Sequence, residues 1–212
     1  MEVALAEDVH MAWIGRDIVV LSVREDAYAC LVGAADVIRP TPSGALHVLQ
    51  EDAAHALHQA GLIALHPPTG PQPAAIPPAS DLHGGSTSLL ASGAFLISSL
   101  WLGRRYHRKP LVAILATARA MRPSNPRRLT DARLRRLAAT FERAIPWLPR
   151  QEACLHRAFL LFSLLARHGV ACDWVFGVRT WPFLAHCWIQ VGEVVVGDDL
   201  ERVRRYTPIL VV

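Results

Sequence analysis

Apolar and polar positions divide the chain into two stretches with different rhythms. In the first, Ile18 to Val23 is a β-branched run, Arg24 to Ala27 a polar turn and Tyr28 to Leu31 a second apolar run, which predicts a hairpin. Val9 to Trp13 predicts a third strand, stopped at Gly15. Ser43 to Leu49 and Glu51 to Ala60 predict helices, the second closed by Gly61. Leu62 to Leu65 is short and apolar. Three strands with three small helices in residues 1–65 suggest a winged-helix-like module.

In the second stretch the period lengthens. Leu89 to Trp101, Leu111 to Met121 and Asp131 to Ile145 predict helices, the last with Thr130 as N-cap and Pro146 as terminator. Ala153 to His168 is apolar on most sides and ends at Gly169, the pattern of a central, buried helix. Trp174 to Val178, Ala185 to Val191 and Val194 to Asp198 then predict three strands, the last two joined at Gly192-Glu193. Helices followed by an antiparallel sheet make this an α+β domain. Between the stretches, His66 to Ser80 holds six of the fifteen prolines, and residues 66–84 read as a linker joining domains at 1–65 and 85–212.

Composition narrows the classes. Hydrophobic residues make up 52% and charged residues 19%, which suits a folded protein with a substantial core. The net charge of +4 hides an asymmetry: residues 1–80 carry three Arg against nine acids, and residues 81–212 carry nineteen Lys/Arg against nine acids. The Arg-rich stretch from Arg122 to Arg143 holds a single aromatic, Phe141, and has the spacing of a helix surface, so nucleic acid is not an expected partner. Cys30, Cys154, Cys172 and Cys187 form no C-x-x-C pair. A disulfide scaffold and a structural zinc site are both unexpected, and a reducing cytoplasm is the expected home. The N-terminus lacks the pattern of a signal peptide. The apolar run from Leu89 to Gly103 is too short to span a bilayer and reads as a buried core helix, so no stable membrane insertion is expected.

Candidate chemistry gathers at the C-terminal half. Cys154 falls in the first turn of the central helix, where the positive end of the helix stabilises a thiolate and free N–H groups can hold an oxyanion. In the strand Ala185 to Val191, period-two alternation puts His186, Trp188 and Gln190 on one face and Cys187, Ile189 and Val191 on the other. The same parity argues against Cys187 as nucleophile. A Cys–His pair oriented by a carboxylate is the arrangement of an activated nucleophile. For the carboxylate, hairpin register leaves two choices: a two-residue loop at Gly192-Glu193 sets Asp199 opposite His186, and a three-residue loop sets Asp198 there. No phosphate-binding loop of the G-x-x-x-x-G-K type is present, and no cofactor or metal is expected.

Arg150 to Leu161 around Cys154, Arg167 to Val170, Phe176-Gly-Val178, Pro182 to Ile189 around His186, and Gly197-Asp-Asp199 together resemble the B proteins of lasso peptide biosynthesis. These are transglutaminase-like cysteine peptidases, with a papain-like domain, that remove the leader of a ribosomally made precursor (RiPP) peptide. The resemblance favours Asp198 as the third catalytic member, with Asp199 in reserve. It implies that residues 1–65 are the leader-recognition element, binding the leader as an added strand at a sheet edge. Val19, Leu21, Tyr28 and Cys30 are then the expected leader-binding positions. Gln151, Trp181, Phe183 and Trp188 are expected on the substrate side of the catalytic centre, Gln151 also helping the oxyanion. The implied partners are the leader of the precursor (A) peptide and an ATP-dependent cyclase, the C protein. The same triad could instead serve a transglutaminase or acyltransferase, and a non-catalytic scaffold presenting the leader to a cyclase is the alternative outside enzymology.

Overall fold

The computed structural model describes residues 1–64, 74–106, 108–127, 129–148 and 154–212. The N-terminal part is richer in strands than its sequence predicts. β1 (Glu2–Leu5), β2 (Val9–Ile14), β3 (Asp17–Ser22) and β4 (Ala27–Leu31) are followed by a 3-10 turn at Ala34–Asp36. After these come β5 (Ile38–Pro40), β6 (Leu46–Val48), α1 (Glu51–Gln59) and β7 (Ile63–Ala64). One sheet has the order β5-β6-β1-β7, and a second is the meander β2-β3-β4.

The helix expected over Ser43 to Leu49 is strand β6. Leu46 and Val48 are buried and His47 between them is exposed, so the burial has period two. Gly44, with φ of 84°, turns the chain into this strand. Among the described residues the module therefore holds one α-helix and one 3-10 turn where three helices were expected.

Strand β3 explains how this part sits against the rest. Ile18 and Val20 point into the module's own core with Val3, Met11 and Leu46. Val19 and Leu21 point the other way, into the large core of the C-terminal domain. β2 packs on the last strand of that domain. A strand buried on both faces reads as an unbroken apolar run, as Ile18 to Leu21 does.

The C-terminal part begins with β8 (Ser80–Leu82), inside the segment read as a linker. Next are the helices α2 (Leu89–Tyr106), α3 (Leu111–Met121), α4 (Asp131–Ala144) and α5 (Cys154–Arg167). β9 (Asp173–Arg179), β10 (Leu184–Val191), β11 (Val194–Val196), α6 (Leu200–Val203) and β12 (Thr207–Val211) complete the chain. The sheet order is β12-β9-β10-β11-β8, with β8 parallel to β11 and the other pairs antiparallel. α5 is central, as its sequence predicts: every residue from Ala158 to Leu165 is buried.

α2 departs from its expectation. It packs on α4 and α5 along one side only, burying Phe95 and Leu102, while Leu90 and Ile97 are 86% and 72% exposed. A run of apolar residues does not report which of them find partners. Among the described residues no helix is long and apolar enough to cross a membrane.

Candidate active site

Cys154 is the first described residue of α5, and its helix runs down one face of the sheet against β10. The sulfur comes within hydrogen-bonding reach of the His186 ring and of both the thiol and the backbone N–H of Cys187. His186 Nε2 and Asp198 Oδ2 are 2.7 Å apart, which leaves Nδ1 as the ring nitrogen for the sulfur. Cys154, His186 and Asp198 line one cleft of about 250 Å³, flanked by Arg157 and Arg202.

The sheet register reveals why Asp198, and not Asp199, meets the imidazole. β10 and β11 pair as Val191↔Val194, Gln190↔Val195 and Ile189↔Val196, which is the two-residue loop. Continued in register, that ladder would bring Asp199 opposite His186. The ladder stops at Val196 because Gly197 takes a left-handed φ of 70° and swings the chain away. Asp198 thereby turns its carboxylate to His186, where Oδ1 also accepts the Asp199 N–H at 2.8 Å. Asp199 instead caps α6, accepting the Arg202 N–H at 2.9 Å.

The electrostatics follow from these contacts. The Cys187 thiol donating to the sulfur, the His186 ring and the Cys187 N–H outweigh the cost of burial and hold the Cys154 pKa down at about 4. Burial pulls His186 down, but its bonds to Asp198 and Cys154 prevail and raise it to about 9. Burial raises Asp198, and the His186 bond and the Asp199 N–H bring its carboxyl below the usual value. Cys187 moves the opposite way: burial, then the bond to Cys154, push its thiol well above the ordinary value. At neutral pH the site is thus a Cys154 thiolate beside a His186 imidazolium, with Cys187 a neutral donor.

Cys187 is a contact that parity alone discards. Its side chain lies on the α5 face, opposite His186 as predicted, but the start of α5 lies so close to β10 that the sulfur reaches both. Tyr106, at the end of α2, also belongs to this neighbourhood. Burial and the charges of Cys187 and Cys154 raise its phenol, and nothing in its sequence context points to the site.

The expected substrate-side positions divide. Trp188 is 2% exposed and sits on the back face of the sheet with Val175 and Val203, its Nε1 donating to Gln190 Oε1 at 3.2 Å. Its indole is packing, and the substrate-binding expectation is corrected there. Val19 and Leu21 are corrected for the same reason: both are 0% exposed, on the central strand of their sheet. Tyr28 and Cys30 lie on β4, which pairs with β3 alone among the described residues and so has an open backbone edge. Cys30 is exposed and Tyr28 half-buried. Gln151 lies outside the described residues.

Trp181 and Phe183 form the loop between β9 and β10 and bind this hairpin to the catalytic side. Trp181 Nε1 donates to Asp17 Oδ2 at 2.9 Å, and the Phe183 ring is 5.5 Å from that of Tyr28. Burial is the main cause that pushes the Tyr28 phenol up to about 12. The loop leading into the His186 strand thus touches the hairpin that carries the open edge.

His186 is held from behind by Trp188 and Tyr206, whose ring centroids are 6.2 and 5.3 Å away. Gly177 pairs with His186 across β9 and β10. A Cβ there would stand 2.7 Å from the Trp188 ring and 2.8 Å from Tyr206 Cβ. Gly177→Ala is therefore expected to destabilise the fold by about 1–3 kcal/mol through overpacking. The midpoint of urea unfolding measures it, and an unchanged midpoint would mean the rings yield without cost.

Among the described residues no group of three His, Cys, Asp or Glu is placed to hold a metal ion. Neither the curated proteins nor the solved structures give a significant match. Residues 96–211 match the transglutaminase-like superfamily. That span is more than half of the chain and contains Cys154 on α5, His186 on β10 and Asp198 after β11, so this protein belongs to the transglutaminase-like superfamily.

Proposed function

We propose that this protein is the leader peptidase of a lasso peptide pathway, hydrolysing the bond between leader and core of a ribosomal precursor. The observation that carries the reading is the pairing of a thiolate–imidazolium couple with an open strand edge on the adjoining hairpin. Residues 1–65 are the recognition unit, residues 85–212 the catalytic unit, and residues 66–84 join them. The leader adds to β4 as a further strand, over Tyr28 and Cys30, and main-chain hydrogen bonds supply the affinity. The chain then passes Phe183 and Trp181 to Cys154.

At the junction the Cys154 thiolate attacks the scissile carbonyl, and backbone N–H groups at the start of α5 hold the oxyanion. His186 gives its proton to the leaving nitrogen, so the core departs with a free amine. The leader remains as a thioester on Cys154. His186, now neutral and oriented by Asp198, takes a proton from water, whose attack frees the leader as a carboxylic acid and restores the thiolate. The free amine is the group that an ATP-dependent cyclase needs for its amide bond, which makes that enzyme the expected partner. The cytoplasm is the proposed compartment, where four free thiols are stable.

Family membership favours one second reading, transfer of the acyl group to an amine. Incubating the protein with a candidate ribosomal precursor peptide, plus a primary amine, separates the two by mass. Free leader acid and free core are the expected products. A leader fragment carrying the amine would mean acyl transfer, and an intact precursor would refute the peptidase reading.

A further inference from the structure

The far end of α5 borders a second cavity that takes no part in the chemistry above. α2, α4 and α5 enclose about 680 Å³, within the roughly 300–1,000 Å³ of small-ligand pockets. Phe95, Leu102, Leu160 and Leu164 form apolar walls. Several hydroxyls also line it, and the helical ones bond back to their own helices. Ser98 donates to the Phe95 carbonyl at 2.9 Å, Thr140 to that of Arg136 at 2.8 Å and Ser163 to that of Phe159 at 2.8 Å. Ser99 differs. It is 2% exposed, it lines the cavity, and its Oγ has no hydrogen-bond partner among the described residues. A buried hydroxyl left unpaired is a cost that a ligand group can relieve.

The mouth is cationic. Arg136, Arg167 and His168 stand at it, and they also line an adjoining hollow of about 720 Å³ that adds Arg127 and Arg133. Among the described residues no Asp or Glu lines either space. None of the four guanidinium groups has an ion-pair or hydrogen-bond partner among the described residues. His168 donates from Nδ1 to the Leu164 carbonyl at 2.9 Å, which fixes its ring with Nε2 turned away from the helix. Like charges gathered on one concave surface without a counter-charge form a focused positive potential.

We propose that this cavity binds an anionic amphiphile. Its apolar chain lies between α2 and α5 over Ser99, and its carboxylate or phosphate head rests on Arg136, Arg167 and His168. A bare anion would leave the apolar chamber unused, and a neutral apolar molecule would leave the cations unused. The site is remote from the nucleophile: Arg167 lies thirteen residues beyond Cys154 on α5, about 20 Å along the helix axis. It rests on residues that the peptidase reading does not use.

Calorimetric titration of the full chain tests it with four probes below their micelle concentrations: dodecanoate, dodecyl phosphate, dodecyl maltoside and inorganic phosphate. The two anionic amphiphiles are expected to bind at a single site, at least about tenfold tighter than the neutral one or the chainless one, and the stronger of them identifies a fatty-acid or a phospholipid source. The surface double variant Arg136→Glu/Arg167→Glu is expected to weaken both by about tenfold or more. Ser99→Leu, which fills the chamber, is expected to weaken them while sparing the response to phosphate, with a thermal melt checking that it folds. Equal binding of dodecyl maltoside, equal binding of phosphate, or unchanged affinity in the charge-reversed variant would each overturn the proposal. So would a synthetic acidic amphipathic peptide that displaces both amphiphiles at lower concentration, which would make this a protein-docking face.

Discussion

Replacing Cys154 by Ala is expected to lower precursor hydrolysis by about 10⁴-fold or more, to the background of the assay. The expectation follows from the position of the sulfur. Its pKa is held down at about 4, and it lies at the start of the described part of α5, beside an imidazole whose pKa is raised to about 9. Alanine removes the nucleophile and leaves no group to form the acyl intermediate. His186→Ala should cost nearly as much, and the double variant little more than either single one, because members of a catalytic unit are not additive. Cys187→Ala should cost far less, since Cys187 stays protonated and only steadies the thiolate. Turnover of the precursor followed by mass spectrometry gives all four rates. Residual cleavage by the Cys154 variant within tenfold of the natural protein would end the cysteine-peptidase reading.

The reach of the sequence toward this site had physical limits that particular residues illustrate. The Cys154–His186 meeting was legible only in part: the apolar pattern marks α5 as a central helix opening near Cys154, but alternation along β10 sets His186 on the face away from that helix. The choice between Asp198 and Asp199 was not legible, because hairpin register holds only while the ladder lasts. Gly197 ends it after Val196, three residues short of the position opposite His186, by a left-handed turn whose occurrence no local pattern announces.

Val19 and Leu21 illustrate another limit. Alternation shows which residues share a face, but whether that face meets a ligand or a second core depends on packing between distant segments. In the event Leu21 and Ile18 are equally buried, one in each core. The strand at Leu46–Val48 was missed for a related reason. Three residues are too few to separate a period of two from one of 3.6. Cys187 marks the last limit: parity placed its side chain correctly, but two elements meeting at an end let one sulfur touch both faces.

Asp198→Asn is expected to lower hydrolysis by about 10²–10⁴-fold and to narrow the pH range of what remains. The sign is fixed by the two shifts. Cys154 is held down at about 4, so the thiolate is present above that pH and lost as pH falls through it. His186 is raised to about 9, so the imidazolium is present below that pH and lost as pH rises through it. The proposed hydrolysis needs both, because in it the thiolate attacks and the imidazolium protonates the leaving nitrogen. The natural protein should therefore show a broad bell bounded near those two values. Alkylation of Cys154 by iodoacetamide needs only the thiolate, so it should rise with the acid limb and not fall at the alkaline one. Asparagine keeps the shape of the side chain but removes the charge that holds the proton on His186. The alkaline limb of hydrolysis should then move to lower pH, while alkylation stays high across the same range. Both limbs unmoved in the Asn variant would mean that Asp198 only positions the ring, and a matching loss of alkylation would mean that the thiolate itself had been lost.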